Sequence, residues 1–130
     1  MRLLLAVTAA TISYADAFAA DVRILQFPDT VLGTWAPGSK TCGGSDRGMI
    51  SISPKQHSSS DASCQVAWIT VTASRDGPVY SARSNCRKDN GGAIEPASYL
   101  VVSPRPDGKL LVRMPSAGPD DDLVTYQKCP

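Results

Sequence analysis

From about residue 23 to its end, the chain is a series of short runs in which apolar and polar residues alternate, separated by glycine and proline. A period of two is that of strands with one buried face. Arg23–Phe27 reads as a lead-in strand closed by the turn Pro28-Asp29, and Val31–Trp35 follows it. Gly48–Ser53 sets Ile50 and Ile52 on one face and serines on the other. Ser53–Ser63 is polar and serine-rich and reads as a long loop. Cys64–Ala73 has the strongest β composition in the chain and places Cys64, Val66, Trp68 and Thr70 on one face.

Arg75-Asp76-Gly77-Pro78 then turns the chain into Val79–Cys86. If Thr70 pairs with Tyr80, Trp68 meets Ala82, Val66 meets Ser84 and Cys64 faces Cys86. A five-residue connection containing glycine would join the two strands. A second hairpin pairs Tyr99–Ser103 with Lys109–Met114 across Pro104–Gly108, and Leu123–Cys129 closes the chain. No capped helix, heptad or fixed repeat interrupts this series. The expected fold is all-β, a small antiparallel meander barrel (or sandwich) of six to eight strands.

The first residues follow a different pattern. Met1-Arg2 carries a positive charge, Leu3 to Ile12 is an unbroken small or apolar run, and Ala17-Phe18-Ala19 is a small-x-small cleavage pattern. Residues 1–19 are therefore expected to be a cleaved signal peptide, and 20–130 a single domain in the periplasm or outside the cell. The apolar run is too short to span a bilayer, so no membrane span is expected after removal of the signal.

Cys42, Cys64, Cys86 and Cys129 then lie in an oxidising compartment, where an even set of thiols forms disulfides. No two are closer than 22 residues, which excludes the tight ligand pairs of zinc sites. Three pairings are open, and the hairpin register favours Cys64–Cys86, leaving Cys42–Cys129.

Charge removes further classes. Thirteen basic and twelve acidic residues give a net charge of +1, with no concentrated basic face for nucleic acid. His57 is the only histidine, and its serine and aspartate neighbours, all on one expected loop, cannot converge as a catalytic triad. Glu95 is the single glutamate, and Asp29, Asp76 and Asp107 occupy turn positions, so no pair of facing carboxylates can be nominated. The expected protein is not an enzyme and uses no metal or cofactor.

Gly33-Thr34-Trp35 resembles the start of the first strand in lipocalins and in the shorter bacterial barrel inhibitors of secreted metalloproteases. In the latter a cysteine follows the Gly-x-Trp within about ten residues and a second comes one hairpin later, which Cys42 and Cys64 match. The stretch Ser103–Leu110 is similar to the approach to a late strand of that family. Cys86 and Cys129 have no counterpart there, and the family's pairing would imply Cys42–Cys64 with Cys86–Cys129. Small periplasmic lysozyme inhibitors are of similar size, but their Ser-Gly-x-x-Tyr loop is absent. The chain also resembles exported proteobacterial proteins with an early Gly-Thr-Trp and a terminal Tyr-x-x-Cys.

The expected function is that of an exported binding protein, in one form an inhibitor of a secreted or periplasmic hydrolase. Contact is expected through Asp21–Phe27 (Arg23, Leu25 and Phe27), through loop 53–63 (His57, Ser58 and Ser59) and through loop 115–122. The alternatives are a lipocalin-like carrier of a small apolar ligand and a structural envelope protein with no dedicated partner. In each case the protein is expected to be a monomer.

Overall fold

The alternating runs do become strands. The computed structural model describes residues 22–38, 42, 48–60, 62–88, 95–114 and 123–130. The expected signal peptide and the loop 115–122 lie outside the described residues. In chain order the strands are β1 (Val22–Ile24), β2 (Gly33–Pro37), β3 (Ile50–Ser53), β4 (Gln56–Ser59), β5 (Ala62–Ser74), β6 (Gly77–Lys88), β7 (Glu95–Pro104), β8 (Leu110–Arg113) and β9 (Val124–Lys128). A single 3-10 turn at Asp29–Val31 is the only helical element among the described residues.

All pairings are antiparallel. Strands β2 to β9 form a meander that closes on itself where β9 meets β2, giving an eight-stranded barrel. Strand β5 is long enough to take two partners along one edge. Its start pairs with β4 and its later part with the extra strand β1, while β6 runs along the whole of the other edge. Closure leaves little unpaired strand edge.

The inward residues make one apolar cluster that includes Phe27, Val31, Trp35, Ile50, Ile52, Ile69, Leu100, Val102, Leu110, Val112 and Tyr126. Ile50 and Ile52 point inward and Ser51 and Ser53 outward, as the alternation of this run implies. Trp35 is buried near the opening of β2, and its Nε1 donates to the Val31 carbonyl at 3.0 Å. Gly33, two residues earlier, has φ +123°, and a Cβ there would meet the Lys128 side chain at 3.1 Å. The Gly-Thr-Trp motif thus has a local physical cause: the glycine lets β2 begin beside β9 and the tryptophan plugs the interior.

The disulfides are Cys64–Cys86 and Cys42–Cys129, with Cα separations of 4.0 and 5.5 Å. The hairpin register is the correct guide here, and the pairing implied by the metalloprotease-inhibitor resemblance is not found. Cys64 lies directly opposite Cys86, and Val66 opposite Ser84.

Two readings need correction. First, 53–63 is not a long loop but the tight turn Pro54-Lys55, the strand β4 and a short connection to β5. Second, the β5–β6 register slips after Val66. Ala67 has no opposite partner, so Trp68 pairs with Arg83 rather than Ala82, and Val71 rather than Thr70 pairs with Tyr80. Trp68 consequently leaves the face of Cys64 and turns outward, while Ile69 and Ala82 are buried. The connection shortens to two residues, Arg75-Asp76, between the pair Ser74 and Gly77. Ser74 Oγ donates to the Gly77 carbonyl at 2.6 Å to hold it.

Candidate functional site

Strands β2 to β6 carry three parallel rows of side chains, because residues opposite one another across successive strands share a face. The middle row points inward and comprises Ile52, His57, Cys64 and Cys86. One flanking row is Thr34, Ser51, Ser58, Ser63 and Arg87. The other is Ser53, Gln56, Gln65 and Asn85. These two rows face outward and line an open groove of about 900 Å³. The short hydroxyl side chains leave the sheet low between the longer Gln56, Gln65 and Arg87. Five strands at roughly 4.8 Å spacing make a track about 19 Å long.

The inward row is buried beneath this groove, and Ile52, His57 and Cys64 contribute to its floor. His57 is 5% exposed, and its Nε2 lies 2.9 Å from Ser84 Oγ. Burial pushes its pKa down to about 4, so the imidazole is neutral at physiological pH. His57 and the two cysteines present three ligand-type atoms within 4.8 Å of one another. Both sulfurs are spent in the Cys64–Cys86 bond, however, and a disulfide offers no thiolate to a metal.

Beyond the bulge, the outer face changes character. Trp68 stands between two guanidinium groups, with Arg23 at 4.9 Å and Arg83 at 4.7 Å from its ring centroid. On the far side of Arg83 its cross-strand partner is Tyr99, which is 46% exposed. Arg83, Asn85 and Arg87 alternate outward along β6, so this aromatic and cationic row continues directly into the groove.

The candidates named from the sequence therefore divide. Arg23 is exposed and stacks on Trp68, Leu25 is 70% exposed, and Ser58 lines the groove. Ser59 is half-buried opposite Ile50, at the edge of the same sheet. Phe27 and His57 must be withdrawn as contact residues. Phe27 is 3% exposed and part of the core, because its backbone N–H is drawn to the Pro54 carbonyl at 2.8 Å and the ring turns inward. His57 faces inward because the alternation of β4 gives it the same face as Ile52 and Cys64.

Thr34, Ser51, Gln56, Ser63, Gln65, Asn85 and Arg87 were not singled out beforehand, and the signal for them is modest. It is the polar half of each alternating pair, meaningful only once the registers align those halves.

Comparison with protein-family models, curated proteins and solved structures finds no match. What can be said of the chain therefore rests on its own geometry. The two disulfides fit an exported protein, and no helix among the described residues is long and apolar enough to cross a membrane.

Proposed function

We propose that this is an exported, non-enzymatic binding protein that holds its partner on the outer face of β2 to β6. The observation that carries this reading is the groove itself. Hydroxyl, amide and guanidinium groups from five strands converge on one open surface, held by a closed barrel and a disulfide directly beneath it. Sites on rigid strands fix polar groups well enough to recognise a partner without reordering. The non-enzymatic part of the reading is supported by the fate of the reactive groups. The single histidine is buried and neutral, and all four cysteines are crosslinked.

A carrier of apolar ligands receives less support, since the groove is an open surface of mixed polarity and the barrel interior is occupied by its own side chains. Inhibition of a secreted hydrolase is the form of binding that Leu25 favours, as it presents a large apolar side chain 70% exposed beside Arg23.

The test is to fill the groove. Ser58→Trp and Ser63→Trp would block the track while leaving the interior rows untouched. The variants and the parent protein are compared for binding to a panel of polysaccharides and for inhibition of lysozymes and secreted proteases. Loss of a binding or inhibitory activity on filling the groove supports the reading. An activity that survives both substitutions places the partner elsewhere. Absence of inhibition at micromolar protein sinks the inhibitor form.

A further inference from the structure

We propose that the groove and the arginine row beside it form one continuous site for an acidic polysaccharide, a chain of sugars bearing carboxylate or sulfate groups. This rests on the reading of the groove as a binding surface and adds the chemical class of its occupant.

Three guanidinium groups, those of Arg23, Arg83 and Arg87, point outward from β1 and β6. None of them makes an ion pair among the described residues, where Arg105–Asp76 at 3.5 Å is the surface ion pair. A surface cation normally has a nearby carboxylate or free solvent. Here two of the three are instead stacked on the faces of Trp68. Stacking orients a guanidinium without using any of its five N–H donors, so its edge stays free for a planar bidentate acceptor. Trp68 is therefore the support and the arginine edges are the recognition elements. With guanidinium groups at 4.9 and 4.7 Å from its ring centroid, Trp68 is engaged within the protein rather than presented to a sugar ring.

The geometry distinguishes an acidic polysaccharide from other anions. Arg83 and Arg87 are two strand steps apart on the same face of β6, about 13 Å between Cα atoms, so they suit repeated charges along a chain rather than one phosphate. Between and beside them lie neutral donors and acceptors, namely Asn85, Gln65, Ser63 and Ser58. Amides and hydroxyls in that number match sugar hydroxyls, which an acidic peptide lacks. A nucleic acid would call for a larger basic excess than +1 and for more than the one exposed ring, Tyr99, that this row offers.

The experiment measures binding of the full mature protein to four soluble polymers: a sulfated glycosaminoglycan, polygalacturonate, neutral dextran and polyglutamate. Binding is followed by calorimetry and by salt elution from the immobilised polymers. The expected result is binding to one or both acidic polysaccharides, weakened by salt, with little binding to dextran or polyglutamate. Sulfated and uronate polymers separate the two acidic sources.

Arg83→Ala and Arg87→Ala should each weaken binding about tenfold. Arg83→Lys should behave as Arg83→Ala if the stacked, bidentate geometry matters. Arg75→Ala and Lys109→Ala, which remove the same charge away from the track, should leave binding unchanged. Circular dichroism confirms that each variant keeps its strands.

Binding that falls equally for the Arg75 and Lys109 controls, or polyglutamate bound as well as the polysaccharides, reduces the effect to ion exchange and overturns the proposal. So does a lack of binding to either acidic polysaccharide. If the groove-filling variants still abolish another activity, the binding surface stands and only its assignment to acidic polysaccharides falls.

Discussion

A barrel that buries its one histidine against a serine should lose stability as the pH falls between that group's unfolded and folded pKa values. His57 is 5% exposed, its Nε2 lies 2.9 Å from Ser84 Oγ, and burial holds its pKa at about 4 against 6.5 when exposed. Above about pH 6.5 the imidazole is neutral in both folded and unfolded chains and carries no pH dependence. As the pH falls below that value, the unfolded chain takes up a proton that the folded protein still refuses. Folding is then opposed, and the penalty grows until about pH 4, where the folded state protonates too and the loss levels off.

Each pH unit of this gap is worth about 1.4 kcal/mol, so the full loss is about 3 kcal/mol. Against a typical stability of roughly 5–15 kcal/mol that is a readable fraction.

Two measurements check it. With one histidine in the chain, the two imidazole C–H proton resonances report the folded pKa directly. Urea unfolding from about pH 7.5 down to about pH 4 then compares the parent with His57→Leu/Ser84→Ala, which removes both polar partners together and leaves neither unpaired. The parent's stability should fall by about 3 kcal/mol more than the double variant's across that interval. Titration of His57 near 6.5, or parallel pH profiles for the two proteins, would refute the account of the interior.

The disulfides should contribute unequally. In the chain-entropy view the 87-residue closure of Cys42–Cys129 is worth about 4–5 kcal/mol and the 22-residue closure of Cys64–Cys86 about 3, so Cys42→Ala/Cys129→Ala should lower the urea midpoint further than Cys64→Ala/Cys86→Ala. The N-terminal pair of apolar residues should separate cleanly as well. Phe27→Ala should cost about 3–5 kcal/mol in urea unfolding, while Leu25→Ala should stay within about 0.5 kcal/mol because its side chain is in solvent. Trp35→Phe, which keeps an aromatic plug but drops the hydrogen bond to Val31, should cost about 1–3 kcal/mol by the same measurement.

Much of the barrel was legible because its signals are local. Ile50 and Ile52 alternate with serines, and Pro104–Gly108 contains an Asp-Gly turn that closes as its residues suggest. There the Lys109 N–H donates to Asp107 Oδ1 at 3.0 Å and Arg105 pairs back to Lys109. The opposition of Cys64 and Cys86 fixed the central hairpin at one end. Strand β4 was not legible for an equally physical reason. Its outward residues Gln56 and Ser58 are polar, and its buried residue is a histidine, so no apolar alternation marks it. A buried polar side chain that finds a hydrogen bond partner is compatible with a strand interior but leaves no hydrophobic signature in the sequence.

The candidate site was hidden by a single residue. No glycine or proline marks a bulge in the run from Cys64 to Ala73, and a straight strand would place Trp68 on the same face as Cys64. Ala67 breaks that phase, because an extra residue on one strand turns every side chain after it to the opposite face. With Trp68 inside, Ile69 would stand in solvent and Arg83 would have no ring to rest on. With Trp68 outside, Ile69 and Ala82 complete the core and two arginines gain a common support. Burial of Ile69 at no exposure and release of a tryptophan that then holds two guanidinium groups against its ring together favour the bulged register. The same slip thus completes the packing inside the barrel and builds the cationic row outside it. Deleting Ala67 should damage both at once, lowering stability and removing the row even though no arginine has been changed.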